Sequence, residues 1–284
     1  MMSRTVRVVL AALLLLLPAG ALAQGDLTFA SLNTPSNGPG RVIGGYAGGC
    51  ISGAVPLPLE GAGYEVIRVS RNRYWGHVST IRFVQEFGRQ VRASRLPNVY
   101  IGDLSQPRGG RMGFGHASHQ TGLDVDIWFE LSPKPRLPAE AREEPVLRSL
   151  VLPHEVGIDP TVWQAGHALL LRMAAEYPGV ERIFVNKWIK RHLCLTTRGD
   201  RSWLHKIVPW FGHDAHFHVR LACPADSPEC VRQTPVPGGD GCGKALDDWF
   251  RPPPPQPDRV IPTPPVRPRP PRYPAACQSV LNAP

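Results

Sequence analysis

Ten histidines occur in this 284-residue chain, and five of them fall in two short stretches. His116 and His119 lie in Gly115-His-Ala-Ser-His-Gln-Thr-Gly-Leu-Asp-Val-Asp126, and His213, His216 and His218 in Gly212-His-Asp-Ala-His-Phe-His-Val-Arg220. Imidazole nitrogens and carboxylate oxygens are the donors of catalytic Zn²⁺ sites, where three protein ligands leave a position for water and lower its pKa towards about 7. Histidines beyond the ligand set suit general-base work or oxyanion stabilisation, because imidazole titrates near about pH 6.5. The competing explanation is a hydrogen-bonded polar face on a solvated sheet, and it is the better one for any single histidine. Five histidines and two aspartates at strand spacing favour the metal. Other hydrolytic motifs are missing: no serine begins an S-x-x-K and no G-x-S-x-G occurs, so an acylating serine is excluded. His154-Glu155-Val-Gly-Ile158 stops short of the second histidine of H-E-x-x-H, which excludes a zincin helix.

The clusters need strands to present them. Residues 123–129 and 215–221 alternate, so Asp124 and Asp126 share one face while Val125 and Ile127 share the other. His216, His218 and Arg220 likewise share a face, with Phe217, Val219 and Leu221 turned to the core. Two such strands close together in one sheet would set imidazoles and carboxylates above an apolar layer. Further strands are expected at 64–69 and 98–103. Val78, Ile81, Val84, Gln85, Phe87 and Val91 predict a helix over 78–93, and a second is predicted over 160–177, with Pro160 in its first turn and Pro178 after its end. Strands and helices alternate without a regular βαβ period. The expected class is α+β, a small, mainly antiparallel sheet carrying the metal site with surrounding helices and long loops.

With 42 % apolar and 19 % charged residues the chain has material for one sizeable core and is not wholly disordered. Residues 1–23 carry Arg4 and Arg7, an apolar run from Val8 to Leu17 and Ala21-Leu22-Ala23, the features of a secretory signal peptide. The run falls short of the roughly 20 apolar residues of a membrane span, and no later stretch approaches that length, so no transmembrane segment is expected. The catalytic domain is expected over 24–250. From Arg251 to Pro274 the chain has twelve prolines and five arginines, a composition that cannot form a core. Six cysteines, all after residue 23, predict three disulfides in an oxidising compartment, with fifteen possible pairings. Cys277 follows the proline-rich run and should staple it back to the body, making 251–284 a tethered tail. Loss of Arg4 and Arg7 takes the formal charge from +9 to +7, which favours a polyanionic surface. For an exported chain that surface is cell wall rather than nucleic acid. No feature of the sequence specifies an oligomeric state.

The strings at 115–126, Arg182-Ile-Phe-Val-Asn186, Trp210-Phe-Gly-His-Asp-Ala-His-Phe-His-Val-Arg220, Cys223-Pro-Ala-Asp-Ser227 and Gly239-Asp-Gly-Cys-Gly243 resemble those of the penicillin-insensitive murein endopeptidases. These are periplasmic zinc peptidases related to lysostaphin-type peptidases, D-Ala-D-Ala carboxypeptidases and the Hedgehog signalling domain. That group shares a small antiparallel sheet and an H-x(6)-D plus H-x-H pattern, matched here by His119 with Asp126 and by His216 with His218. The resemblance implies His119, Asp126 and His218 as zinc ligands, His216 as general base, His116 as ligand of an additional metal, and His213 as an oxyanion or substrate contact. Asp124 would orient a ligand histidine. It further implies cleavage of D-alanyl-meso-diaminopimelyl crosslinks of peptidoglycan, and the pairings Cys50–Cys277, Cys194–Cys242 and Cys223–Cys230. Around 152–159 the family's spacing of metal ligands is not matched, leaving His154 and Asp159 as weak candidates for a second metal. Trp203, Trp210 and Phe211 could line a substrate groove or pack in the core. The alternatives for function are a D-Ala-D-Ala carboxypeptidase and a zinc-stabilised cell-wall-binding module without turnover.

Overall fold

The structure, a computed structural model, describes residues 28–252 and 272–284. The signal peptide expected over 1–23 and most of the proline-rich run lie outside the described residues. In chain order the strands are β1 (Arg41–Gly45), β2 (Gly48–Ser52), β3 (Val55–Pro56), β4 (Glu60–Gly61), β5 (Tyr64–Val66), β6 (Trp75–Gly76), β7 (Val99–Ile101), β8 (Asp124–Trp128), β9 (Val180–Val185), β10 (Ile207–Pro209) and β11 (His216–Leu221). The helices are α1 (Val78–Ala93), α2 (Ala165–Glu176), α3 (Lys187–Thr196), α4 (Lys244–Asp247) and α5 (Ala276–Asn282). Seven strands form one mixed sheet in the order β10-β9-β11-β8-β7-β5-β4. The centre of that sheet, β9-β11-β8-β7, is antiparallel, and parallel pairs occur only towards its edges. The architecture is α+β, as the mixture of periodicities requires.

Helix α1 spans the predicted residues, because His77 accepts from the Ser79 amide at its N-terminus and Ile81, Val84, Phe87 and Val91 form one buried stripe. Phe87 meets Phe217 of β11 edge-on at 6.3 Å, which docks the helix on the apolar face of the sheet. Helix α2 begins later than predicted. Asp159 Oδ1 accepts from the Thr161 amide at 2.8 Å and its hydroxyl at 2.6 Å, holding a turn where a helix was expected, and the Gln164 amide donates to His167 Nδ1 at the true start. Strand β9 and helix α3 were not foreseen as elements. Their boundary is set by Asn186, whose side chain accepts from the Trp188 amide at 2.9 Å.

The three disulfides are Cys50–Cys277, Cys194–Cys242 and Cys223–Cys230, the pairs that the resemblance implies. Through the first, α5 is fastened to β2, where Phe29, Ile43 and Val280 close a small apolar cluster of their own. Arg108 reinforces that staple by donating to the carbonyls of Val280 and Ala283, the shorter of these bonds being 2.5 Å.

Candidate metal centre

Strands β8 and β11 pair so that His218 stands opposite Asp126 and Arg220 opposite Asp124. Val125, Ile127, Phe217 and Val219 are completely buried beneath them, so the alternation read from the sequence does separate a polar face from an apolar one. Asp126 is the hub of the polar face. Its Oδ1 lies 3.3 Å from His119 Nε2 and 3.6 Å from His218 Nδ1. Its Oδ2 lies 3.6 Å from His116 Nδ1 and 3.7 Å from His216 Nε2. The two sides differ in access: the side chains of His119 and His218 are 0 % and 6 % exposed, whereas those of His116 and His216 are 24 % and 21 % exposed.

Outer partners fix which nitrogen faces inward. His119 Nδ1 donates to the Leu104 carbonyl at 2.7 Å and so presents Nε2 to the cluster. His218 Nε2 faces Asp124 Oδ1 at 3.0 Å, which leaves Nδ1 for the centre. His116 Nε2 bonds Asp103 Oδ2 at 3.1 Å. Asp124 is anchored in turn by Arg220 Nε at 2.7 Å and by the His119 amide at 2.9 Å. That amide contact accompanies a left-handed backbone at His119 (φ 65°), and His213 is left-handed too (φ 54°). Non-glycine residues in this region cost about 1–3 kcal/mol, and such strain tends to collect where geometry serves function.

Electrostatics follow from burial and from the carboxylates. Desolvation lowers the pKa of His213 and His216 and takes His218 down to about 4, so these rings are neutral donors of a lone pair. At His119 burial works in the same direction, but the adjoining Asp126 carboxylate overrides it and raises the pKa to about 9. Against a desolvation that would raise them, Arg220 and His119 hold Asp124 and Asp126 well below the ordinary carboxylate range.

The residues fit a divalent cation. His119 Nε2 and Asp126 Oδ1 are shielded from solvent yet hydrogen-bonded to nothing, an arrangement that costs about 1–3 kcal/mol per group unless something satisfies both. His116, His119 and Asp126 each bring a ligand atom within 4.8 Å of the others. Imidazole and carboxylate donors of this kind suit zinc.

Five of the six residues singled out for the site, His116, His119, Asp126, His216 and His218, come together here. His213 stands slightly apart, its ring centre 5.0 Å from that of His216 and 5.8 Å from that of His218. Its Nδ1 donates to the Phe211 carbonyl at 2.7 Å, so in the neutral ring Nε2 is an acceptor. A groove of about 460 Å³ opens over His116, His213 and His218 and is bordered by Trp210 and Phe184. A different cavity, about 510 Å³, lies between Phe29, Met112, Tyr273 and Leu281 and is mainly apolar. Trp203 is core, whereas Trp210 and Phe211 are exposed. His154 and Asp159 are not brought to the cluster: they line another groove with Arg148 and Glu155, and among the described residues they belong to no group of three converging ligands. Sequence reasoning missed Asp103 and Trp128. Trp128 donates to the Gly102 carbonyl at 2.6 Å and its ring lies 4.8 Å from that of His216. The strand reading placed Asp103 at a strand end, but no spacing linked it to His116.

The family model of penicillin-insensitive murein endopeptidases matches residues 42–282. A protein of that name from Haemophilus influenzae is 47 % identical over 249 residues, covering 87 % of this chain and 85 % of its own. Its namesake from Yersinia pestis is 46 % identical over 250 residues, covering 87 % and 88 %, and one from Klebsiella pneumoniae is 44 % identical over 274 residues, covering 96 % and 97 %. A match of this extent joins with the geometry of the cluster in one conclusion: the chain belongs to the penicillin-insensitive murein endopeptidase family.

Proposed function

We propose that this murein endopeptidase is a zinc enzyme that hydrolyses D-alanyl-meso-diaminopimelyl crosslinks in the periplasm, after removal of residues 1–23. The observation that carries the metal reading is the Asp126 carboxylate, shared among four histidines with its inner oxygen and His119 Nε2 both buried and unpartnered. His119, Asp126 and His218, the most buried of the donors, would hold the ion. When bound, zinc supplies Lewis acidity towards a peptide carbonyl and makes water more acidic.

The remaining work falls to the chain. His216 Nε2 faces Asp126 from a side chain that is partly open to solvent, and burial keeps the ring neutral, so it takes a proton from the attacking water and delivers it to the departing amine. Trp128, packed against the His216 ring, limits its rotation. His116 joins from the groove, tied down by Asp103, and is placed to ligate an additional ion or to hold water. His213 enters with Nε2 as an acceptor, which suits a substrate N–H, and it stabilises an oxyanion only after taking up a proton. No step uses an acylating serine, the group that penicillin traps.

The test is incubation of the mature protein with crosslinked muropeptide dimers, with penicillin present, and with or without a chelator. Conversion to monomers that resists penicillin, stops on chelation and returns with Zn²⁺ is expected. Release of free D-alanine instead would make the enzyme a carboxypeptidase, and no hydrolysis by zinc-loaded, oxidised protein would make it a binding module.

A further inference from the structure

The groove continues past the histidines to Arg182 and Gln233. On β9, Phe184 is in register with His218 and Arg182 with Arg220 of β11. Two residues along a strand span about 7 Å, so Arg182 stands that far along the groove from the metal-binding pair.

The two registered arginines are held differently. Arg220 is bound to Asp124 through two nitrogens, at 2.7 and 3.2 Å, and its guanidinium lies over Tyr46 and Phe184. Arg182 donates through NH2 to the Thr234 carbonyl at 2.6 Å, and among the described residues no carboxylate comes within ion-pair distance of it. Its Nε is buried with no partner, as is Gln233 Oε1. Burial lowers its pKa, and the nearby Glu181 carboxylate offsets that only in part. A guanidinium presents forked donors that match a carboxylate, and leaving a buried donor unsatisfied is costly. Neither the metal nor the proton transfer employs Arg182.

We propose that Arg182 forms a carboxylate-binding subsite that takes a free carboxylate of the peptide substrate and sets its register against the metal cluster. The identity of that peptide rests on the murein reading above. Two carboxylates next to the crosslink offer the chemistry this register calls for, that of the diaminopimelyl residue and that of the terminal D-alanine.

Binding of monomeric stem tetrapeptides, which carry no crosslink to cleave, separates the subsite from turnover. Calorimetry on the zinc-loaded mature protein would use three forms: free acid, amidated at the diaminopimelyl carboxyl, and amidated at the C-terminus. Wild type is expected to bind the free acid about 10- to 100-fold more tightly than the form amidated at the carboxylate that Arg182 holds, which identifies the source. Arg182→Gln should lose that margin and Arg182→Lys should retain part of it. Equal binding of the three forms by wild type, no binding at all, or a margin intact in folded Arg182→Gln would overturn the subsite. So would a loss common to all three peptides together with a lowered Tm, since that is the outcome of a purely structural bond to Thr234. Dimer cleavage is measured in parallel: its absence alongside an intact binding margin sinks the endopeptidase reading and leaves the subsite standing.

Discussion

Two regions of the chain hold metal-type side chains at close spacing, and the fold treats them in opposite ways. His119, Asp126 and His218 lie on or beside paired strands, buried, with the inward atoms of His119 and Asp126 left unpartnered. His154 and Glu155 are exposed on a turn, and Asp159 spends its Oδ1 on Thr161 two residues away. Donor type is therefore a poor guide by itself. A ligand set requires that burial deny each atom water while register denies it a local partner; a turn does neither, because neighbouring amides and solvent satisfy its carboxylates.

Substitutions can break this contrast. Asp126→Asn removes the hub and one charge with little change of shape; hydrolysis of crosslinked dimers should fall at least ~10³-fold, and zinc per chain, read by atomic absorption, should drop below one. His216→Ala should lose about 10²- to 10⁴-fold in turnover yet keep its zinc, since it faces the open side; a variant with full activity would remove the proposed base. Asp124→Asn leaves the buried Arg220 without its carboxylate and His218 without its outer partner. Zinc affinity should weaken about 10- to 100-fold, with a lower Tm on thermal unfolding.

The pH dependence sharpens the same comparison. In the metal-free protein Asp126 raises His119 to about 9, so below that pH a metal must displace a proton from Nε2. Zinc affinity should fall roughly tenfold for each unit of pH below 9 and level off above it, as competition against a chromophoric chelator would record. The smallest effect belongs to the turn: the double variant His154→Ala, Asp159→Ala should stay within about threefold of wild-type cleavage and zinc content, its substitutions being at exposed or locally satisfied positions.

Much of the site was legible because strand alternation is a local rule. Asp124 with Asp126, and His216 with His218 and Arg220, fall on common faces whatever the rest of the chain does. Helix α1 was legible for the same reason, from its stripe of Ile81, Val84, Phe87 and Val91. The start of α2 was not, because Asp159 competes for the backbone amides that a helix would use. Strand β9 escaped notice because its ends, Val180 and Val185, are buried together with Ile183 and Phe184, which breaks the alternation.

The sequence by itself determined the donor inventory, the face on which each strand-borne donor lies, the absence of a serine nucleophile motif and the features of an exported, six-cysteine chain. Tertiary structure alone decided that His218 meets Asp126, that the inner oxygen of Asp126 serves His119 and His218 while the outer serves His116 and His216, and that Asp103 and Trp128 hold the outer rings. It also decided that Arg220 is ion-paired with Asp124 while Arg182, its neighbour across the sheet, makes no ion pair among the described residues. Periodicity is fixed by the backbone of a single strand, whereas register, burial and partner choice arise only when strands far apart in sequence pair.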